Sequence, residues 1–334
     1  MLMVKNTFLI RFVLCLIILV APYTAFGTLN AFQDLMRQKN WKIALAIKGE
    51  LFYLTPGGHC EHLLETNKMK QSMLNYPTYS PDCKKIAFSR HGKYGDRLVI
   101  HDFSNNTEKI ILESSMGIRN LSWSPDGINI LFLTKFDRER ETFDLSIINC
   151  ETRIVTSLTK GLVNAISVCT PSWSSNSEGI IFSGINGKII KVNVDKKEVQ
   201  FLFDGVCPTY SPDGKKIIYR KGKHHLKKMG SNIEYVMTGF KYYLYNTDTK
   251  QENYLFNGRK TFGLFGVETW QSVVWSPNGE YILFFKTYDI PSEEHIFIMD
   301  VATRKESLLA KVKPFSSGAI SWVDCSETQT QKLR

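Results

Sequence analysis

The chain has 334 residues, a formal net charge of +10 and 12% aromatic residues. This length is ample for one closed domain with a large core, and no low-complexity stretch or interdomain linker divides the sequence. The positive charge alone excludes few classes of function, because the 42 basic and 32 acidic residues are spread along the whole chain.

The first 27 residues are typical of an export signal. Lys5 and Arg11 flank the start of an apolar run over 12–21, and Ala25-Phe26-Gly27 supplies the small residues of a cleavage site. Pro22 ends the run, which is short for a membrane-spanning helix. We therefore predict a signal peptide over 1–27 that is cleaved after Gly27, with an uncleaved anchor as the alternative.

Cleavage of this signal would release the protein into the periplasm or the extracellular space. The mature chain would have no stable membrane span, and the loss of Lys5 and Arg11 would leave a net charge of about +8. Nucleic acid is not an expected partner for an exported protein. The net positive charge of the mature chain is therefore not interpreted as a sign of nucleic-acid binding.

A short segment and three strands come next along the chain. Residues 28–40 form the N-terminal segment, in which Leu29–Lys39 is a helix candidate. The apolar pattern then predicts strands at 42–47, 50–54 and 59–64.

A repeated turn organises everything that follows. Six times an aromatic residue leads into a tight polar turn that opens an apolar strand. The clear copies are Tyr79-Ser80-Pro81-Asp82-Cys83, Trp123-Ser124-Pro125-Asp126-Gly127, Tyr210-Ser211-Pro212-Asp213-Gly214 and Trp275-Ser276-Pro277-Asn278-Gly279, and the weaker ones are Trp173-Ser174 and Trp322-Val323. Pro restrains φ, Asp or Asn accepts a backbone hydrogen bond, and Gly adopts positive φ. Each copy therefore predicts a hairpin turn between a first strand, A, and a second strand, B.

Two further strands, C and D, follow in each of the first five copies, and four-stranded repeats of this length predict propeller blades. The sixth copy ends after its strand A at Trp322, whereas the three N-terminal strands have no strand A. We therefore predict an all-β, six-bladed β-propeller over 41–325, followed by a tail over 326–334. Its closing blade combines the C-terminal strand with the three N-terminal strands, so the ring is shut.

The turn signature resembles that of the TolB-type propeller, the Pro-Asp variant of the WD repeat, over roughly residues 41–325. The resemblance implies a non-catalytic protein-interaction module of a bacterial-type cell envelope, with another envelope or secreted protein as its partner. TolB itself carries an additional N-terminal α/β domain before its propeller. Only residues 28–40 separate the predicted leader from the first strand, so we expect no such domain in this chain.

Long connections on one side of the disc predict a binding face, because long loops on a rigid scaffold often carry function. The candidate residues are Lys221, Lys223, His224, His225, Lys227, Lys228, Arg138, Arg140, Phe262, Phe265 and Trp270. Basic residues near aromatic ones suit an acidic protein, an anionic glycan or a phosphorylated lipid head group. A solvated charged loop without a partner is the alternative interpretation.

Catalytic motifs are scarce. The sequence has no Gly-x-Ser-x-Gly elbow, no His-Glu-x-x-His and no Gly-rich phosphate loop. The sequence therefore favours a non-catalytic role without a cofactor, and leaves an enzymatic role open. The alternative function is binding of, or lyase-type action on, an anionic polysaccharide through the basic loops, since some related propellers are polysaccharide lyases.

Histidines give only weak signals for a metal site. His59 and His62 would face opposite sides of an extended strand, so we predict no metal there. His224-His225 with the distant His91 or His295 is a second, weaker combination, because imidazole suits Zn and Mn.

Removal of the leader leaves an even number of cysteines in an oxidising compartment, which permits disulfides without requiring them. They are Cys60, Cys83, Cys150, Cys169, Cys207 and Cys325. We expect a Cys60–Cys325 bond that locks the ring and a Cys169–Cys207 bond that ties blades three and four. Buried free thiols are the alternative.

Overall fold

Each Ser-Pro turn of the sequence joins two antiparallel strands in a computed structural model of the protein. The structure describes residues 29–64, 73–135, 143–159, 169–184, 187–229, 232–257, 273–287, 294–312 and 315–326. The predicted loop residues Arg138, Arg140, Phe262, Phe265 and Trp270 lie outside these ranges.

The described residues form one helix, α1, over 29–38, and twenty-four strands. The first twelve strands are β1 (Trp41–Ile47), β2 (Glu50–Leu54), β3 (Cys60–His62), β4 (Met73–Tyr79), β5 (Lys85–Gly92), β6 (Gly95–Asp102), β7 (Thr107–Ser114), β8 (Arg119–Trp123), β9 (Asn129–Lys135), β10 (Phe143–Asn149), β11 (Val155–Ser157) and β12 (Ser172–Trp173). The others are β13 (Gly179–Ser183), β14 (Lys188–Asn193), β15 (Val199–Asp204), β16 (Val206–Tyr210), β17 (Lys216–Met229), β18 (Asn232–Asn246), β19 (Glu252–Asn257), β20 (Val274–Trp275), β21 (Tyr281–Thr287), β22 (Glu294–Asp300), β23 (Glu306–Val312) and β24 (Phe315–Asp324).

Over the described ranges, these strands form six four-stranded sheets, which are the blades of a six-bladed β-propeller. Blades 1 to 5 are β4–β7, β8–β11, β12–β15, β16–β19 and β20–β23, each in chain order from strand A to strand D. The predicted fold class is therefore confirmed. The A–B and C–D turns lie on one face of the disc, called the turn face below, because successive strands run antiparallel.

Blade 6 closes the ring as the sequence predicted. Its strand order is β24-β1-β2-β3, so the last strand of the chain pairs with the first. The register places Ile43 opposite Trp322 and Trp41 opposite Asp324. This pairing covers the edge of β1, which would otherwise be exposed as an unpaired edge strand.

The hydrophobic core is divided among the joints between blades. Each of six clusters of buried residues joins two neighbouring blades, as Leu98 and Ile100 of blade 1 meet Ile130 and Phe132 of blade 2. Both faces of a central strand are therefore covered, which is why β13 is buried along its whole length. Burying each such side chain stabilises the fold by about 1.5–3 kcal/mol.

Helix α1 adds a cover at the joint between blades 5 and 6. Phe32 and Met36 on α1 are 0% and 1% exposed. The Phe32 ring lies 5.6 Å from that of Tyr281 in blade 5 and 5.8 Å from that of Trp322 in blade 6. The short helix predicted over 29–39 thus packs against the ring. No helix in the described part of the chain is long and apolar enough to cross a membrane.

Two disulfides join neighbouring blades among the described cysteines. Cys169 is bonded to Cys207, the pairing expected between blades three and four. Cys325 is bonded to Cys83, so the predicted Cys60–Cys325 bond is wrong. Cys60 lies on β3, three strand positions from β24, and strands about 4.8 Å apart put it beyond disulfide reach. Cys60 keeps a free thiol, as does Cys150.

Cys83 can meet Cys325 because it occupies the glycine position of its turn. Its φ is 59°, close to the 75° of Gly127 and the 72° of Gly214 at the equivalent positions. The turn of blade 1 therefore keeps the left-handed geometry at some conformational cost, and gains a covalent link to the closing strand.

Removal of β24 should open the ring. A chain that ends at 312 would expose the edge of β1, lose the Cys83–Cys325 bond and unpack Trp322, at a cost of about 5 kcal/mol or more in unfolding free energy. We expect the midpoint of thermal unfolding to fall by about 10 °C or more, as measured by circular dichroism. A chain that ends at 326 is the control and should melt like the full chain. Equal melting of both truncations would contradict the closure.

Candidate functional site

The serine of each turn motif organises the turn face. The Ser80 hydroxyl donates to Asp82 Oδ1 at 2.6 Å and accepts from the Lys85 backbone N–H at 2.9 Å. The same pair of bonds recurs around Ser124, Ser174, Ser211 and Ser276. Five turns therefore share one geometry, with Asn in place of Asp at 176 and 278.

The first strands of neighbouring blades are joined by hydrogen bonds near the axis. Hydroxyl groups accept from the backbone N–H of the aromatic residue in the next blade at three joints: Ser321 from Tyr79 at 2.9 Å, Thr78 from Trp123 at 3.2 Å, and Ser172 from Tyr210 at 3.0 Å. At two other joints an indole N–H donates to a backbone carbonyl: Trp173 to Ser122 at 3.1 Å and Trp275 to Thr209 at 3.3 Å. These bonds fix the positions of the blades around the axis.

The sixth joint differs. Blade 5 has Val274 where the other blades have Ser or Thr, so the hydroxyl found at this position in the other blades is missing from blade 5. This is the joint that α1 covers with Phe32, between Tyr281 and Trp322. Hydrophobic packing of α1 thus reinforces this joint.

The six first strands enclose a cavity of about 500 Å³ that opens on the turn face; it is called the axial cavity below. Its walls combine prolines, aromatic rings and hydroxyl groups. They include Pro81, Pro125, Pro212, Pro277, Tyr79, Trp123, Trp173, Tyr210, Trp275, Trp322, Thr78, Ser122, Thr209 and Ser321. Among the described lining residues, Asp324 is the only charged one.

On the opposite face, the predicted basic loop 221–240 is not an irregular loop. It is a continuation of β17 and β18, which pair from Lys216↔Asn246 to Met229↔Asn232 with one register shift after Lys221. Beyond Arg220 and Lys241 the two strands have no other described strand as a neighbour. The segments 222–229 and 232–239, called the basic ribbon below, therefore project from blade 4. Lys223, His224, His225, Lys227 and Lys228 all lie on its first strand.

Lys221 lies at the base of the basic ribbon and is paired within its own blade. Its Nζ is 2.5 Å from Glu252 Oε2, which also accepts a hydrogen bond from the Tyr219 hydroxyl. Burial and this bond raise the pKa of Tyr219. Burial opposes ionisation of Glu252, but hydrogen bonds from Lys221 and Tyr219 hold its pKa below the ordinary value. Lys221 therefore stabilises the base of the ribbon in addition to any role in binding.

Arg220, next to it, is 1% exposed and lies against the second disulfide. Its Nη2 donates to Cys207 Sγ and lies 3.4 Å from Cys169 Sγ, and the guanidinium carbon is 5.0 Å from the centre of the Phe240 ring. The arginine thus anchors the disulfide-linked joint of blades 3 and 4 by cation–π and polar contacts.

The histidines are placed apart. The His62 ring packs at a tilt against that of Phe52, with the ring centres 4.4 Å apart, and His91 Nδ1 pairs with Asp96 Oδ1 at 2.5 Å. Within the ranges that the structure describes, no three His, Cys, Asp or Glu side chains form a group that could hold a metal.

Sequence reasoning missed the axial cavity and named none of its residues as a site. A usable signal was present, because the residue before the aromatic one is Ser or Thr in five of the six repeats: Thr78, Ser122, Ser172, Thr209 and Ser321. Equivalent residues of a closed ring must converge at its axis, so this repetition predicts a ring of hydroxyls.

Comparisons with known proteins agree with the fold. No family model and no curated protein matches the chain. Among solved structures, TolB from Acinetobacter baumannii superposes with a TM-score of 0.63 at 20% identity, over 84% of this chain and 66% of that one. A TolB candidate from Agrobacterium tumefaciens gives 0.57 at 13% identity, over 84% and 91%. A chain from a nidogen–laminin complex gives 0.59 at 11% identity, over 86% and 99%.

These likenesses establish the fold, which is a TolB-type six-bladed propeller. The chain spans slightly less than two thirds of the length of the A. baumannii TolB chain.

The hydroxyl bonds between blades can be tested at Thr78, which is 7% exposed. Replacement of Thr78 by Val keeps the shape of the side chain but leaves the buried N–H of Trp123 without its acceptor. We expect the free energy of unfolding in guanidinium chloride to fall by about 1–3 kcal/mol. Thr78→Ser keeps an acceptor and should lose less. A Val variant as stable as the Ser variant would contradict the role of this bond.

Proposed function

We propose that this TolB-type propeller is a non-catalytic interaction module of a bacterial-type cell envelope, and that it binds a protein partner. The axial cavity is the observation that carries the proposal, because strand A of every blade contributes to its wall. Its volume of about 500 Å³ lies in the range that holds a group or short segment of a bound molecule. Aromatic side chains, which are prominent in its wall, are enriched at protein interfaces.

The chemistry of the cavity wall supports binding rather than catalysis. Hydroxyl groups such as those of Ser122 and Thr209 both donate and accept hydrogen bonds, as the backbone of a bound peptide segment requires. Asp324 is the single charged group among the described lining residues, so no acid–base pair is assembled there. A rigid, nearly neutral and partly apolar cavity suits recognition by shape and hydrogen bonds.

The basic ribbon is included in the proposal as a second contact, on the opposite face. Lys223, Lys227 and Lys228 lie on one projecting strand, and their charges favour an acidic surface of the partner. The predicted export signal over 1–27 supports a location in the envelope or outside the cell. The nidogen–laminin complex is an example of this fold within a protein–protein assembly.

Site-specific photo-crosslinking in the native envelope tests the proposal. A crosslinker at Pro212, on the exposed rim of the axial cavity, should yield a defined protein adduct that mass spectrometry identifies. The control position is Lys109 on β7, an exposed residue of an outermost strand, and it should not yield this adduct. We expect the variant Lys227→Glu with Lys228→Glu to weaken the adduct about tenfold, and the matched variant Lys109→Glu with Lys311→Glu to preserve it.

Two outcomes would contradict the proposal. One is the same set of adducts from positions 212 and 109, because a docking site must differ from an outer strand. The other is the release of unsaturated sugars when the protein is incubated with anionic polysaccharides, because that result would make the propeller a lyase.

A further inference from the structure

The disulfide between Cys169 and Cys207 differs from the other disulfide in its surroundings. It joins blades 3 and 4 on the face opposite the turn face, where strand A of each blade begins. Arg220 of β17 lies against both of its sulfur atoms, because Nη2 donates to Cys207 Sγ and is 3.4 Å from Cys169 Sγ. In the other disulfide, Cys83 Sγ lies 3.6 Å from the backbone oxygen of Asp324. The first disulfide thus has a positive charge beside its sulfurs, and the second has a neutral carbonyl.

The position of this guanidinium is fixed by its neighbours. Arg220 is 1% exposed, and its guanidinium carbon lies 5.0 Å from the centre of the Phe240 ring and 5.8 Å from that of Tyr242. Burial raises the pKa of Tyr242, so this neighbour stays neutral at physiological pH. The adjacent charge in the chain, that of Lys221, is paired with Glu252. A buried charge acts strongly on the groups beside it, because the interior screens it less than water does.

A positive charge beside a disulfide favours reduction of that disulfide. Reduction converts the two sulfurs to thiols, and a neighbouring guanidinium lowers the pKa of a thiol because it stabilises the thiolate. A more stable thiolate leaves faster when another thiolate attacks the disulfide, and it also makes the reduced state more favourable at equilibrium. The contact with Arg220 therefore acts on both the rate and the extent of reduction.

The joint between blades 3 and 4 has other links besides this bond. The disulfide closes a loop of 38 residues, against 242 for the disulfide of the closing blade, so it restricts the unfolded chain less. Two hydrogen bonds join the same blades: the Cys207 N–H donates to Ser183 Oγ at 2.7 Å, and the Tyr210 N–H donates to Ser172 Oγ at 3.0 Å. We therefore expect the ring to stay closed when this disulfide is reduced.

We propose that Cys169–Cys207 is a redox-active disulfide, a site of thiol–disulfide exchange with a dithiol reductant. Cys207 is partly exposed and Cys169 is 8% exposed, so a thiolate of the reductant attacks Cys207 Sγ. Cys169 Sγ leaves as a thiolate beside Arg220, with the electron pair of the S–S bond. The second thiolate of the reductant then attacks the reductant sulfur of the mixed disulfide and expels the Cys207 thiolate. The reductant ends as a disulfide, its two protons pass to solvent or to the protein thiols, and the protein has gained two electrons.

Partial reduction of the oxidised protein with dithiothreitol at neutral pH tests this proposal. Acid stops the reaction, the new thiols are alkylated, and peptide mapping follows each disulfide separately. We expect the Cys169–Cys207 bond to open at least about tenfold faster than the Cys83–Cys325 bond. Exposure alone predicts the reverse order, because Cys83 and Cys325 are both partly exposed and Cys169 is buried. Circular dichroism should show the same strand content before and after this first reduction.

Substitutions of Arg220 separate the effect of its charge from that of its packing. Arg220→Met fills a similar volume without a charge and should slow the opening of the Cys169–Cys207 bond about tenfold. Arg220→Lys keeps the charge and should open faster than the Met variant. Arg90→Met is the matched control, because Arg90 is a partly buried arginine of blade 1 that also lies over an aromatic ring, that of Phe88. It should leave the rate at Cys169–Cys207 unchanged.

Thiol titration after the first reduction tests the site even if the Arg220 variants do not fold. The pH dependence of alkylation should give one of the two thiols of the site a pKa below the ordinary value of about 8.5. Cys60 and Cys150 are internal controls, because burial raises the pKa of each thiol to about 11.

The proposal is overturned if the Cys169–Cys207 bond opens no faster than the Cys83–Cys325 bond. It is also overturned if a folded Arg220→Met variant opens at the rate of the unmodified protein, or if neither thiol of the site titrates below the ordinary value.

Discussion

The pairing of β24 with β1 is the interaction on which the rest of the structure depends. It joins the two ends of the described chain in one blade, and the Cys83–Cys325 disulfide ties that blade to the next. A disulfide that closes a loop of 242 residues restricts the unfolded chain strongly, which by chain-entropy reasoning stabilises the fold by about 5–6 kcal/mol. Without this closure, the axial cavity would lose the part of its wall that β24 contributes.

The turn face gains its character from the way in which the blades meet. At five joints, hydrogen bonds near the axis link one strand A to the next, and α1 packs over the joint between blades 5 and 6. The same residues that hold the ring together therefore line the axial cavity. Because its lining residues are held in place by contacts between blades, the axial cavity is preorganised before a ligand binds. Preorganisation lowers the entropic cost of binding. The basic ribbon on the other face is not held by such contacts between blades, because its two strands pair with no further described strand.

The fold could be predicted from the sequence because it repeats a local rule. Each aromatic–Ser–Pro turn specifies a hairpin, and the missing strands at the two ends specify the closure. The partner of Cys325 was predicted wrongly, because disulfide pairing depends on distances across a blade. Cys60 lies on the outermost strand of blade 6, whereas Cys83 replaces a turn glycine beside Cys325. The size and shape of the axial cavity could not be predicted from the sequence, because its wall combines strands that are far apart in the chain and meet only in the closed ring.

Peptide mapping of the oxidised, unreduced protein by mass spectrometry tests the closure most directly. The structure predicts one linked peptide that contains Cys83 and Cys325, a second that contains Cys169 and Cys207, and alkylated thiols at Cys60 and Cys150. A link between Cys60 and Cys325, or free thiols at both Cys83 and Cys325 in protein prepared under oxidising conditions, would contradict this account of the ring.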